Sequence, residues 1–179
     1  MKFPFSILSL LILLAAGFAV ITPAKLTQSD LSLDVTIVTG EHSRDSNSVT
    51  ATLTVSSGAL VYEQTFAGAR SGRRQPVKKE YKLSKEDQAA LIRLLNAGNL
   101  MVTRTISKPP QQKGSSRYFG LSIHSRLGGK ESTVSIDASP NAAELKADGL
   151  YRDSVSMIEK LYKIINRADP DITMPHLID

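Results

Sequence analysis

The chain has 179 residues, 41% of them apolar, no cysteine or tryptophan, and a formal net charge of +5. The missing cysteines exclude a disulfide framework, a thiol nucleophile and the acylated cysteine of a bacterial lipoprotein signal. The charge is unevenly placed: residues 70–130 carry 14 Lys and Arg against 3 Asp and Glu, while the flanking segments are mildly acidic.

Residues 1–24 read as an export leader. Lys2 supplies a positive start, an apolar run follows from Phe3 to Ile21, and small residues come next. Two outcomes are compatible with this pattern. A peptidase cuts before Val20 or Lys25. Otherwise Phe3–Ile21, about 28 Å long as a helix, stays as an anchor in the inner membrane, whose apolar core is roughly 30 Å thick. Either outcome puts the remaining chain outside the cytoplasm, in the periplasm or at the cell surface. The chain also lacks an Asn-x-Ser/Thr sequon, which with the missing cysteines fits a bacterial exported protein.

Residues 25–168 are expected to form one domain, followed by a tail over 169–179. Leu31, Leu33, Val35 and Ile37 alternate with polar residues, as do Val49, Ala51, Leu53 and Val55, giving two half-buried strands. Ser57-Gly58 turns the chain into a third strand over Ala59–Phe66. Residues 67–76 form a Gly- and Arg-rich loop, and Val77–Leu83 is a fourth strand. Ser84 and Asp87 mark a helix start, and Ala89, Leu91, Ile92, Leu94 and Leu95 supply its apolar face. Gly98 is expected to end that helix in the left-handed conformation.

Leu100–Ile106 is a candidate strand. Phe119–Ile123 and Val134–Ile136 flank Gly128-Gly129 and form a second hairpin. Ser139-Pro140 suggests a short helical turn that Asp148-Gly149 interrupts. Tyr151, Val155, Ile158, Tyr162 and Ile165 recur at helical spacing, so Leu150–Arg167 is an amphipathic helix. The predicted fold is α+β: an antiparallel sheet of about six or seven strands built from hairpins, packed on one face by two helices, behind the N-terminal signal or anchor helix.

Catalytic signals are sparse. Of the three histidines, His42 lies in a polar loop with Glu41 and Asp45, but the spacing matches no metal-ligand set. His124 sits on the polar face of its strand, and His176 is in the tail. There is no G-x-S-x-G or S-x-x-K motif. Gly129-Lys130 is not a phosphate loop, because His124 stands where its first glycine is required. No metal or cofactor is expected.

The strongest functional signal is a run of seven cations within 16 residues: Arg70, Arg73, Arg74, Lys78, Lys79, Lys82 and Lys85. A Gly-rich loop and a basic edge strand together make a candidate rim for phosphate, sulfate or carboxylate groups. The same lysines would also guard an edge strand against unwanted pairing. For an exported chain the expected partners are anionic lipid, a cell-envelope polymer or an acidic protein, and not nucleic acid. An envelope hydrolase and a membrane-anchored assembly protein are the competing expectations.

Overall fold

The computed structural model describes residues 30–41, 47–68, 74–108, 117–138 and 143–175. The proposed leader, His42, Arg70, Arg73, Ser139-Pro140 and His176 lie outside these segments.

Seven strands form one sheet: β1 (Ser32–Glu41), β2 (Ser48–Ser56), β3 (Ala59–Ala67), β4 (Val77–Lys82), β5 (Arg104–Lys108), β6 (Arg117–Leu127) and β7 (Lys130–Ala138). Their spatial order is β4-β3-β2-β1-β6-β7-β5, which leaves β4 and β5 at the two margins. The helices are α1 (Lys85–Ala97), α2 (Ala143–Ala147) and α3 (Gly149–Ile165), and a single 3₁₀ turn spans Asn99–Met101.

The alternation read from the sequence sets which face is buried. Leu33, Val35 and Ile37 at the centre of β1 are fully buried beneath the helices, as are Leu53 on β2 and Ile123 on β6. The opposite face is polar. Its middle row runs Lys78, Glu63, Thr52, Thr36, Ser122, Ser135, Thr105 across all seven strands without an apolar side chain. Both two-residue hairpins need positive φ at their centres. Ser57 and Gly58 adopt 49° and 80°, Gly128 and Gly129 adopt 57° and 78°, and this twist matches that of the flanking strands.

The sheet is mixed and not wholly antiparallel, because β5 pairs with β7 in parallel. The chain leaves the β4 margin, passes through α1 on the covered face, and reaches the opposite margin. β5 and β7 are joined through β6, which pairs with the other side of β7, so they escape the antiparallel pairing that a direct hairpin would impose. The strand expected over Leu100–Ile106 is correspondingly displaced. Leu100 is buried in the 3₁₀ turn, and pairing begins only at Arg104.

α1 starts where its cap requires: the Ser84 side chain accepts from the Asp87 amide at 3.1 Å. Its buried face is Asp87, Gln88, Leu91 and Leu95, while Ala89 is exposed. Two polar residues thus extend the buried face by one turn, and Ala89, expected on that face, lies off it. Gly98 does not adopt the left-handed conformation; its φ is −97° and its ψ −179°. A side chain there would crowd Asp153, whose Cγ would stand 3.1 Å from the added Cβ. Asp153 needs that closeness to accept from the Asn99 amide and side chain, at 2.9 and 2.8 Å.

α3 is capped by Asp148, whose carboxylate accepts from the Leu150 amide at 2.8 Å. Tyr151, Ile158, Tyr162 and Ile165 are buried as its period demands. Met157, Leu161 and Ile164 are buried as well, because α1, α2 and the 3₁₀ turn pack against α3. Beyond α3, Ile172 and Met174 pack on the edge of the core.

Candidate functional site

The β4 margin carries the described part of the basic run. Lys78, Glu80 and Lys82 project from the polar face, and Val77, Lys79 and Tyr81 from the covered face. Each lysine meets a different environment. Lys78 forms an ion pair with Glu63, its cross-strand neighbour on β3. Lys79 Nζ donates to Asp169 Oδ1 at 2.7 Å. Lys82 is exposed opposite Ala59, and Lys85 is exposed at the first residue of α1. Arg74 lies at the other end of β4, its guanidinium carbon 5.3 Å from the centre of the Phe66 ring, a cation–π contact.

The cations therefore do not converge on one point. They are strung along a sheet margin, and Glu80 interrupts the lysines on the polar face. Lys79 is neutralised from behind by a residue 90 positions later in the chain.

Asp169 binds two groups of β4 at once. Its second oxygen accepts from the Tyr81 hydroxyl at 2.7 Å. The Lys79 ammonium and the Tyr81 hydroxyl together hold the Asp169 carboxyl below the ordinary carboxylate range. Burial, reinforced by the bond to Asp169, pushes the Tyr81 phenol upward. A second carboxylate, Asp87, ties α1 to the end of α3. It accepts from Lys160 at 3.2 Å, from Arg167, and from the Ser84 hydroxyl at 3.0 Å. Burial works to raise its pKa, but these three donors outweigh burial and lower it. The sequence marks Asp87 only as part of a helix cap. Its partners Lys160 and Arg167 lie more than 70 residues away.

His124 stands on the polar face, in register with Asp34 on β1 and Thr133 on β7. Its Nδ1 lies 3.1 Å from Thr133 Oγ1. Among the described residues no group of His, Asp and Glu side chains is arranged to hold a metal ion. Also among them, no helix is long and apolar enough to cross a membrane.

Comparison with known proteins identifies no family model that matches the chain and no curated protein similar to it in sequence. The site rests on its own geometry.

Proposed function

We propose that the protein is an exported binding module that holds an anionic component of the cell envelope or an acidic protein along its β4 margin. The leader-like segment 1–24 supports export. The observation that carries the binding reading is the alignment of Arg74, Lys78, Lys82 and Lys85 along one sheet margin, with Arg70 and Arg73 in the preceding segment of the sequence. Positive charges spread along a margin suit an anionic polymer or an extended surface better than a small compact anion. The attraction is screened within about 10 Å at 0.1 M salt, so binding should weaken steeply as salt rises.

The test is retention on three supports in a salt gradient: a sulfated polysaccharide, vesicles containing anionic lipid, and an immobilised acidic polypeptide. Replacing Arg74, Lys78, Lys82 and Lys85 together by Ala should move elution to markedly lower salt on the support that resembles the true ligand. Unchanged elution on all three would refute the reading. N-terminal sequencing of exported material checks the leader, with a start at Val20 or Lys25 expected; a start at Met1 favours retention as an anchor.

A further inference from the structure

We infer that the outer edge of β4 captures an acidic polypeptide segment as an added β-strand. This rests on the anionic-ligand reading and names the partner class within it.

The backbone supplies the first argument. The Leu83 amide donates to the Gly58 carbonyl at 2.9 Å, which extends the β3–β4 register by one pair. In an antiparallel ladder the bonded pairs alternate, so Val77, Lys79, Tyr81 and Leu83 direct their backbone groups toward β3. Lys78, Glu80 and Lys82 therefore direct theirs outward, at the end of the strand order. Among the described residues no backbone bond reaches that edge. Lys78, Lys79, Glu80 and Lys82 are all exposed.

Charge selects the occupant. The outward-bonding residues read Lys78, Glu80, Lys82, and their side chains stand on the polar face. A second copy pairing antiparallel over the whole strand, centred on Glu80, would oppose Lys78 to Lys82 and Glu80 to itself. Every such cross-strand pair is repulsive. An incoming strand with acids opposite Lys78 and Lys82, and a neutral residue opposite Glu80, meets favourable pairs at both ends. The pattern sought is acid-x-neutral-x-acid, with small or β-branched residues between. In that full-length register the lysines disfavour the protein's own edge, while an acidic strand is admitted.

The experiment uses the full chain and two synthetic peptides, Thr-Glu-Val-Thr-Val-Glu-Thr and the same peptide with Lys in place of Glu. The acidic peptide should bind and the basic one should not. On addition of the acidic peptide, hydrogen exchange should slow at the Lys78, Glu80 and Lys82 amides but not selectively at Lys79 or Tyr81. Glu80→Pro removes one outward amide and leaves the bonds to β3 intact, as an edge strand tolerates. It should weaken peptide binding at least ten-fold, while elution from the sulfated polysaccharide moves to slightly higher salt because a negative charge has left the margin.

No binding of the acidic peptide, equal binding of both peptides, or absence of the alternating protection in the unmodified protein would overturn the inference. Self-association through β4 would overturn it too. If polysaccharide elution still responds to the lysine replacements, the broader anionic reading survives such a failure. If it does not respond on any support, that reading has failed independently.

Discussion

Lys79 and Asp169 meet at 2.7 Å although 90 residues separate them, and this contact fastens the segment after α3 to the sheet margin. It also changes the meaning of the basic run, because one of its central lysines faces the covered side and already has a counter-ion. Lys79→Ala should therefore leave elution from an anionic support close to that of the unmodified protein. Asp169→Asn should instead release Lys79 and delay elution to higher salt. Earlier elution of Lys79→Ala by as much as Lys82→Ala would show that Lys79 faces the ligand.

Asp87 is the principal polar tie between α1 and α3, and it is only 4% exposed. Asp87→Asn keeps the shape but removes the charge that Lys160 and Arg167 face. The expected loss is about 1–3 kcal/mol, below the larger figure for a fully buried pair because the Arg167 side chain is well exposed. Urea denaturation measures it. The same variant tests the pH dependence. Because the folded pKa is depressed, the contribution of Asp87 is complete above its unfolded value of about 3.9 and disappears as pH falls through the folded value. The acid limb of the stability curve should be flatter in Asp87→Asn.

The Tyr162 hydroxyl is buried without a hydrogen-bond partner among the described residues. Its ring meets Tyr62 edge to face at 5.9 Å between centres. Tyr162→Phe removes an unsatisfied polar atom and keeps the ring, so stability should be unchanged or higher by up to about 1 kcal/mol. A loss above 1 kcal/mol in thermal or urea unfolding would mean that the hydroxyl has a partner.

Burial raises the phenol pKa of Tyr62, Tyr81 and Tyr162 above the ordinary value of 10.0. Below about pH 10 these phenols are protonated in both states and stability is unaffected. Above it the unfolded chain loses protons that the folded chain keeps, so stability falls as pH rises. Tyrosinate absorption should show these three of the five tyrosines ionising only as the protein unfolds. Full titration of all five in a still-folded protein would contradict the burial.

Gly98→Ala places a Cβ 3.1 Å from both Asp153 Cγ and the Leu94 carbonyl oxygen. The backbone at Gly98 is extended and tolerates any residue, so the cost arises from crowding. Asp153 must withdraw from the Asn99 amide, and a loss of about 1–2 kcal/mol is expected. Asp153→Ala should cost a similar amount, and the double variant should cost less than the sum. Additive costs would show that the two positions act separately.

Much of the fold is written locally. Period-two alternation in β1, β2, β6 and β7 names the buried face, and the Ser57-Gly58 and Gly128-Gly129 pairs name the hairpins. The Ser84–Asp87 spacing marks the start of α1, and the stripe from Tyr151 to Ile165 marks α3. Each signal involves residues within a few positions of one another, where backbone geometry alone decides which side chains share a face. Tertiary structure decided the rest: β5 parallel to β7, Asp87 and Gln88 buried in place of Ala89, Gly98 serving Asp153, and Lys79 bound to Asp169. These outcomes depend on which distant segments come together. Spacing along the chain does not encode that choice, because many pairings bury the same apolar face and only the assembled packing distinguishes them.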